Sequence, residues 1–168
     1  ENLFIPIYTT YQSLRYDMSK LCVFKNNRFI FKSYNKVYSI DISTAEIITL
    51  ADGFEETKFA ASDNSRYFAF NNDKLGESKH INIYNIEEGK VTTIDAKEGE
   101  NIEVVTFMND DLFYGVFSDE NIWREIGKII GRPSHEIRVI NAVTGKEDLF
   151  KEKDRYLYNF VNQKNVLR

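Results

Sequence analysis

The sequence predicts an all-β fold in which a unit of four short antiparallel strands recurs along the chain. Three segments of 14 residues, beginning at Val37, Ile81 and Ile137, align without a gap at successive offsets of 44 and 56 residues. In each segment, alternating apolar positions indicate two strands joined by a tight turn. A second unit, with an Asx-rich turn between two apolar strands, precedes each of these segments. Four strands in about 40 residues is the spacing of a β-propeller blade.

The repeats predict three complete blades, whose strands we name a to d in chain order, at about 20–50, 57–95 and 103–150. The two ends resemble half-blades, since residues 3–14 look like a c–d pair and residues 157–168 look like an a–b pair. We therefore predict one propeller domain, or a propeller fragment, over residues 1–168. Pairing of the two ends would close a four-bladed ring, whereas the rival is an excerpt from a ring of six to eight blades. A sandwich or meander of ordinary hairpins is the alternative fold.

The longest connection between predicted strands runs from Ser118 to His135. Four isoleucines recur in it at helical spacing, which predicts one inserted helix near 119–130. The isoleucines are Ile122, Ile126, Ile129 and Ile130. Ser118 is a suitable N-cap, and Gly131 followed by Pro133 would end the helix. This helix would either seal onto the third blade or, with Trp123 beside the stripe, meet a partner.

The connections between strands indicate which face of the blades could bind a ligand. The a–b and c–d turns are all short, whereas the b–c and d–a connections vary in length and lie on the opposite face. Variable loops on a rigid scaffold are where binding residues concentrate. The candidate binding residues on this face are Trp123, Arg124, His135 and His80.

Composition and motifs remove several classes of function. The net charge is −4 and the Lys and Arg residues are not clustered, so the chain lacks the basic footprint of nucleic-acid binding. No stretch approaches 18 uncharged apolar residues, which argues against a membrane-spanning segment. Cys22 is the single cysteine, and no cysteine or regularly spaced acid joins His80 to His135, so we predict no metal site. The sequence contains no Gly-X-Ser-X-Gly, phosphate-loop or His-Glu-X-X-His motif, so we predict no catalytic residues and no cofactor.

One stretch of the second predicted blade resembles a known repeat. The run from Ser62 to Phe70, followed by the strand and acidic turn from Ile81 to Lys90, is similar to the WD40-like repeat of TolB-type propellers and of prolyl-oligopeptidase propellers. Asp63 stands where that repeat has proline, and Ser65 where it has glycine. The resemblance implies a blade and no particular chemistry, because such propellers serve as interaction platforms, as gates over peptidase domains and, less often, as enzymes.

These observations favour a non-catalytic binding or assembly module whose partner is a protein or peptide. The alternative is the gating propeller of a larger enzyme, such as a serine peptidase, whose catalytic domain lies outside this chain. A third hypothesis is an enzyme active within these 168 residues. We expect a bacterial, extracytoplasmic location, with anchoring or secretion provided by segments outside this sequence. The oligomeric state is left open.

Overall fold

The protein is described by a computed structural model that covers residues 7–72, 78–118, 120, 123–131, 133–150, 162–163 and 166–167. The chain divides into two compact units, residues 1–56 and 57–168. Strands predominate in both units, as the apolar alternation predicts.

The first unit consists of one helix followed by a four-stranded sheet. Helix α1 (Tyr11–Lys20) begins after Thr10, whose hydroxyl oxygen accepts a hydrogen bond from the Ser13 amide at 3.2 Å and so caps the helix. The sheet is an antiparallel meander in the order β1-β2-β3-β4. Its strands are β1 (Cys22–Lys25), β2 (Arg28–Ser33), β3 (Lys36–Asp41) and β4 (Ile47–Asp52).

The second unit opens with a 3-10 turn (Glu56–Lys58) and another meander, in the order β5-β6-β7-β8. Its strands are β5 (Phe59–Ala61), β6 (Tyr67–Phe70), β7 (His80–Asn85) and β8 (Lys90–Asp95). The third sheet contains β9 (Glu100–Met108), β10 (Asp111–Ser118), β13 (Glu136–Asn141) and β14 (Glu147–Phe150). A hairpin of β11 (Trp123–Glu125) and β12 (Lys128–Gly131) is inserted between β10 and β13. All three predicted blades are confirmed as four-stranded antiparallel sheets.

The structure confirms the sequence repeat through three equivalent turns between the third and fourth strands. Asp41, Asn85 and Asn141, which occupy the same position of the repeat, each accept backbone hydrogen bonds from the residues two and three positions ahead. The fourth turn residue adopts a positive φ in every copy, at Ala45, Gly89 and Gly145. Short polar side chains that bond to their own turn in this way stabilise a tight reversal.

The a–b and c–d turns of each blade lie at the same end of its sheet, as predicted. The residue after each capping Asx donates its backbone N–H to the a–b turn of the same blade. These bonds run from Ile42 to Asn27, from Ile86 to Arg66 and from Ala142 to Asp110, at 2.8–3.1 Å. The connections between second and third strands therefore lie at the opposite end.

The core of the second unit lies between its two large sheets. Ten buried side chains from β6, β7, β9 and β10 form one apolar cluster there, including Tyr67, Ile81, Ile102 and Val116. By contrast, β8 and β14 are almost entirely exposed. Face-to-face packing of successive meanders, with exposed fourth strands, is the arrangement of propeller blades. The chain is an all-β protein built of β-propeller blades.

The predicted helix near 119–130 is wrong, because this segment contains the β11–β12 hairpin. Ile126 and Gly127 have φ angles of 48° and 76°, and two successive left-handed residues cannot continue a right-handed helix. Glu125 and Lys128 pair directly across them, so the two residues form the tight hairpin turn typical of strands with a right-handed twist. The β-branched isoleucines favour strands for the same reason that they weaken helices.

The predicted half-blades at the termini have different outcomes. The c–d pair at 3–14 is wrong where the chain is described, because α1 begins at Tyr11 and Thr10 caps it; residues 1–6 lie outside the described residues. Within 157–168, β15 (Asn162–Gln163) and β16 (Val166–Leu167) form a short antiparallel pair, as an a–b hairpin would. The remainder of that segment lies outside the described residues, and closure of a ring stays a prediction.

Candidate functional site

The inserted β11–β12 hairpin occupies the b–c connection of the third blade, at the end of the sheet where the sequence predicts binding. Its strands pair from Trp123 opposite Gly131 to Glu125 opposite Lys128, with a register shift after Trp123. Ser118 precedes the hairpin and accepts a hydrogen bond from the Glu120 amide at 3.2 Å through its hydroxyl oxygen. Ser118 thus caps a local turn, although not the helix that the sequence predicts.

Two large apolar side chains of the hairpin are exposed to solvent. Trp123 is 52% exposed, and Ile126 at the tip of the hairpin is 97% exposed. A β-branched residue with a positive φ is an outlier that costs on the order of 1–2 kcal/mol. Such strained positions concentrate at sites of function. The tip therefore presents an isoleucine where asparagine or glycine would fit the backbone better.

The other predicted binding residues occupy separate positions. Arg124 belongs to β11, and its side chain lies outside the described part of the chain. His135 is half-buried and its backbone N–H donates to the Val116 carbonyl at 2.9 Å. His80 is exposed at the start of β7, where its Nδ1 lies 2.7 Å from Asp95 Oδ1 on the neighbouring strand. Within the described residues, no cluster of three or more His, Cys, Asp or Glu side chains could hold a metal ion.

A buried polar cluster joins the two sheets of the second unit. The Asn71 amide nitrogen donates to the carbonyls of His80 and Ile102 at 2.7 and 3.1 Å, and its oxygen accepts from the Val104 amide at 2.9 Å. Asn71 is only 1% exposed. Because β9 supplies two of these three backbone partners, this single side chain fastens the second blade to the first strand of the third.

A second polar cluster lies along β13 and contains ionisable groups whose pKa values are shifted by burial and by their neighbours. Both guanidinium nitrogens Nη1 and Nη2 of Arg138 bind the Glu100 carboxylate, at 3.0 and 2.8 Å, and Nε binds Glu136. Burial alone would raise the pKa of Glu100, but the bonds and charge of Arg138 outweigh it and hold this pKa below 4.5. Burial, and then the hydrogen bond to Glu147, raise the pKa of Tyr114. Arg138 is bonded to Glu100 and Glu136, and Tyr114 is bonded to Glu147, so the polar groups of this cluster bind one another. This indicates a structural role.

The first unit contains a cavity that the sequence analysis missed. It has a volume of about 480 Å³ and lies between the segment leading into α1 and one face of the β1–β4 sheet. Its lining comprises Ile7, Tyr8, Thr9, Ser13, Asp17, Phe31, Ser33, Tyr34, Asn35, Lys36, Tyr38, Ile40 and Ile47. The lining residues are scattered over 41 positions, so no local motif marks the cavity. Phe31 and Ser33, which alternate along β2 and so share one face of the sheet, are the sequence signal that could have suggested it.

A buried ion pair fixes α1 against the sheet beside this cavity. The Lys32 ammonium donates to Asp17 Oδ1 at 2.5 Å, and the Tyr34 amide donates to Asp17 Oδ2 at 2.6 Å. Lys32 is 1% exposed and Asp17 is 6% exposed. A carboxylate so removed from water needs such partners, since an unpaired buried charge is strongly unfavourable.

No family model matches the sequence, and no curated protein matches it. Similar solved structures include apo AztD from Citrobacter koseri, with 8% identity over 77% of this chain and a TM-score of 0.43. Oligogalacturonate lyase from Vibrio parahaemolyticus has 11% identity over 79% of this chain and a TM-score of 0.45. An ACO/RPE65 chimera has 11% identity over 75% of this chain, also with a TM-score of 0.45. The chain spans only 33%, 39% and 33% of the lengths of these three proteins.

Among the described residues, no helix is both long enough and apolar enough to cross a lipid bilayer.

Proposed function

We propose that this protein is a non-catalytic binding module, and that the β11–β12 hairpin is its contact with a protein partner. The observation that carries this proposal is Ile126, a 97% exposed β-branched residue held at a positive φ on the tip of an inserted hairpin. Exposing this side chain gains nothing for folding, whereas it would supply apolar contact area when a partner covers the tip.

Trp123 supports the same surface from the base of the hairpin. Half of this residue is exposed, and a tryptophan gives a large contact area at a low cost in side-chain entropy. The resemblance of residues 62–94 to TolB-type repeats is compatible with this role, because such propellers include interaction platforms as well as gates and enzymes. Arg124 lies within β11 and His135 follows the hairpin in sequence, so both stay candidate contact residues of this surface, while His80 is assigned no contact role because it is paired with Asp95.

The partner is best captured by a photo-crosslinking amino acid at position 126 of the full chain in its native host. We expect position 126 to yield one dominant crosslinked protein. Val143 is the matched control, because it is also an exposed apolar turn residue of the third blade, 56% exposed, but lies in the c–d turn at the opposite end. A crosslinker at position 143 should not yield that protein.

The captured partner then permits a quantitative test with purified proteins. Ile126→Asn should weaken binding by at least tenfold without lowering the melting temperature, because asparagine tolerates a positive φ better than isoleucine. Trp123→Ala should weaken binding by roughly thirtyfold, the effect of losing an interface anchor worth about 2 kcal/mol. If Val143→Asn weakens binding as much as Ile126→Asn, or if neither hairpin variant changes the affinity, the hairpin is not the contact.

A further inference from the structure

The cavity of the first unit shares no lining residue with the hairpin. Its floor is one face of the sheet, because Phe31 pairs with Tyr38 across β2 and β3, and Ser33 pairs with Lys36. Its wall is the segment from Ile7 to Thr9 together with Ser13 and Asp17 of α1. A volume of about 480 Å³ lies toward the small end of the range that holds compact organic ligands.

Two aromatic rings line the floor of the cavity. The ring centroids of Phe31 and Tyr38 lie 5.6 Å apart. Ile40 continues this surface and is 4% exposed. A planar ring in the cavity would contact Tyr38, the partly exposed ring of this pair, at the spacing that aromatic pairs prefer.

The charges that line the cavity are neutralised within the protein. Asp17 binds Lys32 at 2.5 Å, and Lys36 binds Asp52 Oδ2 at 3.0 Å; among the described residues, no other charged side chain lines the cavity. A charged ligand would lose its hydration on entering and would find no opposite charge in need of a partner. The lining therefore favours an uncharged ligand.

Ser33 supplies one polar group at the floor. This residue is 7% exposed and lines the cavity, yet its hydroxyl makes no hydrogen bond to any described residue. The Ser33 hydroxyl is not among the buried polar atoms that lack a partner, so it is accessible from the cavity. A ligand with one hydrogen-bonding group could therefore bond to it.

We infer that this cavity binds an uncharged, planar aromatic small molecule of one or two rings that carries a single hydrogen-bonding group. The ring lies against Tyr38, beside the buried Phe31, and its polar group bonds to the Ser33 hydroxyl. Tyr34, which is 77% exposed and held at φ 54° with its amide bound to Asp17, lies at the rim of the site. Simple phenols and indoles have the required chemistry.

The test is a titration of the full-length, isotope-labelled chain with p-cresol and with indole, followed by NMR chemical shifts. We expect both probes to shift the amide signals of residues 31–38, with saturation in the millimolar range or below. Benzoate, which has a similar ring but a negative charge, should bind at least tenfold more weakly than p-cresol. Ser33→Ala should weaken p-cresol binding about fivefold, the effect of losing one neutral hydrogen bond.

A matched pair of variants separates binding in the cavity from adsorption elsewhere. Ile47 lines the cavity and Ile42 does not, yet both are exposed residues at the same end of this sheet, at 47% and 49%. Ile47→Trp should fill the cavity and abolish binding of both probes, whereas Ile42→Trp should leave their affinities unchanged. Both variants should keep the melting temperature of the parent protein.

Several outcomes would overturn the inference. These are the absence of any shift up to the solubility limit of both probes, equal affinity for benzoate and p-cresol, or binding that persists in Ile47→Trp. If diluting the protein without a probe moves the signals of residues 31–38, a second copy of the chain covers this face. If deleting residues 157–168 moves the same signals, that segment covers it. In either case the aromatic floor serves assembly and not a small molecule.

Discussion

At the scale of single residues, Asp17 links the helix of the first unit to its sheet. One carboxylate oxygen binds the Lys32 ammonium and the other binds the Tyr34 amide, so the carboxylate fixes both a strand and the turn that follows it. Lys32 interrupts an apolar strand, in the run Phe29-Ile30-Phe31-Lys32, and its charge would be very costly there without an anionic partner. Its side chain also lies over the Phe54 ring, at 6.0 Å from the centroid.

Removing the Asp17 carboxylate alone should destabilise the protein more than removing both charges of the Asp17–Lys32 ion pair. We expect Asp17→Ala to lower the free energy of unfolding by about 3 kcal/mol, because it leaves the Lys32 ammonium buried without this counter-ion. The double variant Asp17→Ala with Lys32→Met should recover at least half of that loss, since methionine needs no partner. Urea unfolding of the two variants and the parent measures both quantities. A double variant less stable than Asp17→Ala would contradict this account.

The Glu100–Arg138 pair makes a pH-dependent contribution to stability. The folded pKa of Glu100 is depressed below 4.5, so the pair stabilises the fold fully above pH 4.5 and loses this contribution as the pH falls through the folded value. Glu100→Gln should therefore destabilise the protein at pH 7, and the difference from the parent should shrink towards pH 3. Glu98→Gln, two residues away at an exposed position, serves as the control. A difference that stays constant from pH 7 to pH 3 would show that charge is not involved.

At the scale of elements, the sequence predicts the structure well wherever a pattern repeats and poorly where it occurs once. The blade boundaries follow from three copies of the same pattern of alternating apolar residues and turn. Where one copy leaves the end of a strand uncertain, the aligned copies define it. The segment from Trp123 to Gly131 has no counterpart in the other blades. Its isoleucine pattern is compatible with a helix or with a strand, and only the turn at Ile126 and Gly127, both with positive φ, distinguishes the two. The helix α1 was missed because Thr9, Thr10 and Tyr11 have high strand propensity, whereas the cap at Thr10 depends on local backbone geometry.

The cavity and the interblade clamps illustrate the same limit. Asp17, Ser33 and Tyr38 line the same cavity only because helix α1 packs against the sheet, and no residue spacing in the sequence predicts that arrangement. Likewise, Asn71 looks like an ordinary loop residue in the sequence, yet it is 1% exposed and bound to three backbone groups. Loop length alone marked the connection that carries the insertion, but the sequence placed Ile126 in a helical stripe that would either seal onto the third blade or meet a partner, and not at the tip of a hairpin.

The equivalent c–d turns predict opposite effects for opposite substitutions. Ala45 adopts φ 61°, where Gly89 and Gly145 stand in the other copies, so Ala45→Gly should relieve strain and raise the free energy of unfolding by about 0.5 kcal/mol. Gly145→Ala should lower it by about 1 kcal/mol, although no atom lies within 4 Å of the added methyl group. Chemical denaturation of both variants tests this. Changes of the same sign in the two turns would mean that φ does not govern their stability.

At the scale of the whole molecule, the blades must act as packed layers and not as independent hairpins. In the second unit, the apolar cluster between the sheets supplies burial, while Asn71 and the bond from the Ile102 amide to the Ser78 carbonyl, at 2.7 Å, fix the alignment of the layers. Lys58 adds an ion pair with Glu103 at 3.2 Å across the same interface. Apolar burial alone tolerates sliding, whereas these directional bonds select one arrangement.

Substitution of Asn71 should therefore loosen two sheets at once. Asn71→Ala removes one hydrogen bond from each of two carbonyls and one amide of the interface, and we expect a loss of about 3 kcal/mol in the free energy of unfolding. Hydrogen exchange should accelerate in β6, β7 and β9 together, because β9 depends on the same side chain as the blade it packs against. Asn72→Ala, at the exposed neighbouring position, should change neither quantity. If exchange accelerates in β6 and β7 while β9 stays protected, the side chain supports only its own blade, and the apolar cluster alone holds the layers together.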